Sequence, residues 1–171
     1  MDIRTRKPGE SSAIEHLFTS VFTAAEGDAE GALIGNLATE LMAQTDRRDL
    51  FGFVAMDRDH IVGAIFFSRL TVATDIDVFL LAPVAVHTEY QGMGVGQALI
   101  THGLEKLTEK GVDIVVTYGD PTFYAKVGFQ PLSPETIPPP FDLSQPDGWL
   151  GPPLPRSPSP PPRPLLVRGG V

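Results

Sequence analysis

Proline divides this chain into two unlike parts. Four of the 17 prolines, Pro8, Pro83, Pro121 and Pro131, precede residue 133, and the other 13 fall in residues 133–171. Proline fixes φ and has no backbone N–H, so "PPLPRSPSPPPRP" cannot supply the hydrogen bonds of a helix or a sheet. The expected organisation is a folded domain over residues 1–132 and an extended or disordered proline-rich tail over 133–171. Charges within the tail cancel, Arg156, Arg163 and Arg168 against Glu135, Asp142 and Asp147. The formal net charge of −8 therefore belongs to residues 1–132.

At 171 residues, 42% hydrophobic and 20% charged, the chain is long enough and apolar enough for one buried core. It has no cysteine, which excludes a disulfide framework and thiolate metal sites. No apolar run approaches the roughly 18 residues of a membrane span. "MDIRTRKPGE" lacks the apolar stretch of a signal peptide. The expectation is a cytoplasmic protein. Its acidity argues against nucleic acid, which calls for a basic patch, and is compatible with a cationic substrate.

Periodicity orders the elements of residues 1–132. "DIRTR" suits a first strand. "SSAIEHLFTSVF" opens with a capping-box pattern, Ser12 to Glu15, and places Ile14, Leu17, Phe18, Val21 and Phe22 at helical spacing. "EGALIGNLATELM" puts Leu33, Ile34, Leu37 and Leu41 on one helical face. "LFGFVAMD" and "HIVGAIFFSRLTV" are strands around the turn "RDH", and "DVFLLAPVAV" is a third. A glycine-rich stretch, "EYQGMGVGQALI", leads into a helix that ends near Lys110, with Gly111 as its C-cap. "DIVVTYG" is a buried-type strand. "PTFYAKV" is a short helix with Pro121 at its first position and Asp120 as N-cap. "GFQPL" begins another strand. The order β-α-α-β-β-β-α-β-α-β is that of a mixed α/β sheet.

A strand that runs into a glycine-rich turn and then a helix is anion-binding geometry. The first N–H groups of a helix have no internal partner and carry partial positive charge. Glycine lets a phosphate approach them. An acidic chain could thus hold a polyanion through backbone dipoles instead of lysines. The dinucleotide fingerprint fails here, since its last glycine would be Gln97 or Leu99. The Gly-Lys-Ser/Thr of the nucleotide triphosphatases is absent. What remains is Q-x-x-G-x-G, namely Gln91, Gly94 and Gly96. A plain tight turn would explain one or two of these glycines.

"LLAPVAVHTEYQGMGVGQALI" resembles the acetyl-coenzyme A signature of the GNAT superfamily of N-acetyltransferases. "YGDPTFYAKVGF" resembles its second motif, in the form of the YhbS-like branch. The resemblance covers roughly residues 1–132. It implies the GNAT acyl-coenzyme A acyltransferase fold, a mostly antiparallel central sheet flanked by helices. It also implies acetyl-coenzyme A as co-substrate, no metal, and acetyl transfer by direct attack of a primary amine on the thioester. By the same resemblance, the backbone of Val84, Ala85 and Val86 binds the pantetheine arm. The loop Gln91, Gly92, Met93, Gly94, Val95 and Gly96 holds the pyrophosphate, and Tyr124 lies near the sulfur as general acid. Pantetheine is an amide chain, so a strand edge can take it as an added strand.

The general base has no fixed motif. Glu26, Glu30, Asp75 and Asp77 are candidates, with Glu30 and Asp77 preferred and an ordered water as the competing choice. Tyr124 also reads as a core residue with an edge hydroxyl. His87 and His102 lack metal-type spacing, and Lys126 reads as solvated. Thr88 stands where many relatives have proline, and Phe123 where the branch often has a second tyrosine. The family's closing strand after "GFQPL" is expected to be missing, reduced to "LLV", or replaced by unrelated sequence, as an altered C-terminus would leave it. The expected partners are a small-molecule or protein amine acceptor, with no nucleic acid and no membrane; a homodimer is left open. Two alternatives to the enzyme stand: a non-catalytic acyl-coenzyme A sensor, and an adaptor working through the tail.

Overall fold

The computed structural model describes residues 1–152 except Thr74, so the polyproline run beyond Pro152 and the "LLV" segment lie outside the described residues. Seven strands form one mixed sheet in the order β1-β2-β3-β4-β5-β7-β6. They are β1 (Asp2–Thr5), β2 (Leu50–Asp57), β3 (His60–Leu70), β4 (Val78–Val86), β5 (Ile114–Tyr118), β6 (Gln130–Pro131) and β7 (Trp149–Gly151). The helices are α1 (Ser11–Glu26), α2 (Asp28–Gln44), α3 (Val95–Glu109) and α4 (Pro121–Ala125). The described β4–β5 pair is parallel, and β1–β2, β2–β3, β5–β7 and β6–β7 are antiparallel. No helix among the described residues is long and apolar enough to cross a membrane.

The chain forms two compact units, Met1–Ser68 with Ala82–Gly103, and Arg69–Leu81 with the described residues from Leu104 onward. In the first unit, strand alternation sends side chains to two faces. Ile14, Leu17 and Phe18 of α1 share a core with Val54, Ala64, Phe66 and Ala85, and the Phe18 and Phe66 rings stack at 5.9 Å. The residues between them in the strands meet α3. A Cβ on Gly63 would lie 2.7 Å from Leu99 Cδ1, and one on Gly103 would lie 2.5 Å from the Phe67 ring. The β2–β3 register slips between Ala55 and Met56, a bulge just before the hairpin tip. That tip is Arg58–Asp59, with Arg58 at φ 55° and Asp57 opposite His60.

Two expectations about the first helices are corrected. Ser12 is not a cap: a 3-10 turn over Pro8–Glu10 precedes α1, which starts at Ser11. Glu15 instead accepts a hydrogen bond from Thr19 Oγ1 at 3.1 Å, one helical turn on. The apolar face assigned to α2 is only half packed: Ile34 and Leu41 lie against the core, whereas Leu33 is 60% and Leu37 38% exposed. The buried residues of α2 are Gly31, Gly35 and Ala38. A Cβ on Gly31 would sit 2.8 Å from the Thr19 carbonyl oxygen and 2.8 Å from the Thr23 nitrogen. At Gly31 and Gly35 the helices approach so closely that no side chain fits between them, and a period count of apolar residues misses those glycines.

The second unit corrects the domain boundary expected at residue 132. β7 lies within the segment assigned to the tail, and it pairs with β5 through Thr117↔Leu150 and Tyr118↔Trp149, and with β6. Trp149 is fully buried with Val72, Val78, Ile114, Val116 and Ile137, and its indole N–H donates to the Ile137 carbonyl at 2.8 Å. A three-residue strand shows no alternation, so its anchor is a single aromatic. Trp149→Ala should destabilise the protein by about 3–5 kcal/mol, read by urea unfolding. A segment that merely trailed from the domain would show no change.

Candidate functional site

The end of β4 sets up the site. The parallel β4–β5 register runs from Val78↔Ile114 to Leu81↔Thr117, and β4 continues beyond it through Val84, Ala85 and Val86. Thr117 is fully buried, and its hydroxyl donates to the Leu81 carbonyl at 2.8 Å, where the described ladder ends. After β4, the His87 N–H donates to the Val62 carbonyl at 2.8 Å. A 3-10 turn over Thr88–Tyr90 follows, with Tyr90 N–H bonded to the His87 carbonyl at 2.8 Å. Gln91 reaches back, its Nε2 donating to the Val86 carbonyl at 2.9 Å.

The predicted loop residues come together at the start of α3. Gly92 and Gly94 have φ of 78° and 80°, the left-handed region that glycine enters without a Cβ penalty. No atom lies within 4 Å of where a Cβ would stand on either, so conformation rather than crowding selects glycine there. Met93 between them is 70% exposed. Gly96 is the second residue of α3, and Val95 is its buried first residue. Ala98 N–H bonds to the Gly94 carbonyl at 3.0 Å, so the N–H groups of Val95, Gly96 and Gln97 precede the first bond of that ladder. The 15 residues of α3 add a positive N-terminal dipole end beside an exposed loop. This arrangement can hold an anionic oxygen without any cationic side chain.

Tyr124 belongs to the second unit. Asp120 caps α4 by accepting from the Thr122 N–H at 2.9 Å, and Pro121 occupies the first turn, as the sequence predicts. This turns the Tyr124 ring over Gly119, where a Cβ would lie 2.6 Å from Cε2. Phe123 and Phe129 meet the same ring edge-on at 5.0 and 5.6 Å. Burial pushes the phenol above its ordinary value, and the hydrogen bond with Thr117 opposes that shift in part. The two base candidates have different surroundings. Glu30, half-buried, sits in the first turn of α2, where a carboxylate also complements the helix dipole. Asp77, just before β4, is ion-paired with Arg69, which lies 4.8 Å over the Phe79 ring. Its backbone exchanges bonds with Asp113, N–H to Oδ2 at 2.8 Å and carbonyl from N–H at 3.0 Å. Glu26 and Asp75 are exposed.

His87 and His102 each have a contact of their own. His87 Nδ1 accepts from the Glu89 N–H at 3.1 Å, and His102 meets the Phe53 ring edge-on at 5.5 Å. No group of three or more His, Asp or Glu among the described residues could hold a metal ion. Sequence reasoning missed Thr117 and Tyr90. Thr117 left a signal, a lone polar residue inside the apolar strand "DIVVTYG". Tyr90 left none, because its partner Asp57 is 33 residues away.

Residues 48–131 match the acetyltransferase (GNAT) domain family. The chain is 35% identical over 135 residues to the uncharacterized N-acetyltransferase YhbS of Escherichia coli K12, covering 76% of this chain and 74% of that one. It is 37% identical over 101 residues to the uncharacterized N-acetyltransferase YjhQ of the same strain, covering 57% and 56%. Among solved structures, the E. coli GNAT family N-acetyltransferase YhbS in complex with CoA superposes with a TM-score of 0.69 at 29% identity, covering 87% of this chain and 78% of that one. A GNAT family acetyltransferase from Brucella melitensis in complex with acetyl-CoA gives 0.68 at 27% identity, covering 75% and 82%.

The left-handed backbone at Gly94 has a measurable cost. Alanine there meets no atom, yet it must adopt a φ that costs an L-residue about 1–2 kcal/mol. Gly94→Ala should lower the unfolding free energy by that amount in urea titration. An unchanged midpoint would contradict the conformation.

Proposed function

Because the chain belongs to the GNAT acetyltransferase family, we propose that it moves the acetyl group of acetyl-coenzyme A to a primary amine by direct attack of that amine on the thioester. The observation that carries this reading is the start of α3, an exposed loop with two left-handed glycines ahead of N–H groups that precede the helix's own ladder. Those amides, Val95 to Gln97, fit a diphosphate, and the relatives solved with CoA and acetyl-CoA support the assignment. The edge of Val84–Val86, beyond the described β4–β5 register, suits the amide groups of the pantetheine arm. When bound, acetyl-coenzyme A supplies the activated acetyl group.

The remaining work falls to the chain. A backbone N–H near Val86 polarises the thioester carbonyl. Tyr124 holds a proton at its phenol oxygen for the departing sulfur. Burial suits it to that role: a phenol raised above its ordinary value near 10 keeps its proton throughout the neutral range. The amine must attack unprotonated. Glu30 or an ordered water accepts that proton in this reading, since Asp77 is engaged by Arg69. The acceptor is a small-molecule or protein amine, and the cytoplasm is the compartment proposed.

An amine panel with thiol detection, paired with calorimetry of acetyl-coenzyme A, tests the reading. Thiol release with an amine supports it. Binding without turnover makes the chain a non-catalytic sensor, and no binding at all ends the assignment. Tyr124→Phe should cut kcat by about 100-fold or more while leaving the coenzyme dissociation constant nearly unchanged. In the intact protein, loss of the Tyr124 proton should not limit kcat until the pH exceeds the ordinary phenol value near 10, because the shift is upward. An unchanged rate in Tyr124→Phe removes its acid role.

A further inference from the structure

The glycine loop has almost nothing packed on it. Gly92, Met93 and Gly94 are exposed, and open space surrounds the Cβ positions of both glycines. Glycine-rich backbone is free to take many conformations, and ordering it at the moment of binding weakens affinity. A loop that binds through its N–H groups must therefore be held from its ends. The far end is fixed, because Val95 is buried and its Cγ1 lies 3.2 Å from where a Cβ on Gly63 would stand. At the near end, the Tyr90 N–H to His87 carbonyl, Glu89 N–H to His87 Nδ1 and Gln91 Nε2 to Val86 carbonyl bonds are all local. The His87 N–H to Val62 carbonyl bond fixes the start of the turn on β3, and the local bonds shape the turn beyond it.

Three residues past His87, one side chain adds a second long-range tie to the sheet. The Tyr90 hydroxyl donates to Asp57 Oδ2 at 2.5 Å, across 33 residues. Asp57 is the last residue of β2, and its place is set by the bulge at Ala55/Met56 and the two-residue tip at Arg58–Asp59. We propose that the Tyr90–Asp57 hydrogen bond is the strut that preorganises the diphosphate loop, which makes both positioning residues for coenzyme binding. The inference rests on the coenzyme reading above. It also gives a reason for a carboxylate close to a loop meant for a polyanion, where bare negative charge would repel the ligand. The carboxylate pushes the phenol above its ordinary value, so the donor proton stays in place at neutral pH.

Calorimetry with CoA and steady-state kinetics on full-length variants test the strut. Tyr90→Phe and Asp57→Ala should each weaken CoA binding about tenfold and raise the acetyl-coenzyme A KM to match, with kcat within about twofold. The double variant should be no weaker than either single one, since both remove the same bond. Asp57→Asn keeps an acceptor oxygen and loses the charge, so it should bind CoA at least as tightly as the parent. A merely structural role would lower the melting temperature and scale kcat with the folded fraction while leaving the KM unchanged. If Tyr90→Phe binds CoA as the parent does, or the double variant shows additive losses, the strut is wrong and the coenzyme reading stands. If the parent itself gives no heat with CoA, the coenzyme reading fails and the strut falls with it.

Discussion

A helix cannot satisfy the N–H groups of its own first turn, and in this protein that deficit falls where β4 hands over to α3. Much else in the first unit serves to put the deficit at an exposed loop and keep it there. Gly63 and Gly103 let α3 lie close on one face of β2 and β3, while α1 fills the other face through Ile14, Leu17 and Phe18. The backbone of β4 continues past Leu81, the last residue of its described register with β5, into Val84–Val86. With a formal net charge of −8, the chain has no surplus of lysine and arginine to attract a polyanion. Oriented backbone dipoles can do that work at short range without a cationic side chain.

The second unit solves a different problem. Arg69 there spans Asp77 and the Phe79 ring, and Asp113 receives the Asp77 N–H. A carboxylate tied in this way is a poor place to look for a free proton acceptor. That contrast between Asp77 and Glu30 appears only once the partners are known. The same unit holds Tyr124 in a cage of Gly119, Phe123 and Phe129, so one aromatic position combines enclosure with a polar tip.

Local chemistry made much of this legible in advance. Asp120 and Pro121 announce α4, and Gly111, at φ 83°, ends α3 where a left-handed residue is needed. The turn between β2 and β3 and the strand–glycine–helix run are likewise written in contiguous residues. The missed features share a cause. α2 turns Gly31, Gly35 and Ala38 inward beside Ile34 and Leu41, and an apolar count omits those small residues and adds the exposed Leu33 and Leu37. β7 is three residues held by Trp149 in a proline-rich context that reads as tail. Tyr90 and Asp57 are ordinary polar residues until the chain brings them together.

The sequence by itself determined the element order through β6, the family resemblance and the glycine loop proposed for the coenzyme. Each depends on residues close together in the chain, where φ preferences, caps and periodicity act directly. Tertiary structure alone decided which face of α2 is buried, which strand closes the sheet, which carboxylate is already engaged, and what ties the loop to the sheet. Those are pairings across tens of residues. Their energy comes from close approach and hydrogen-bond geometry, neither of which exists until the chain has folded.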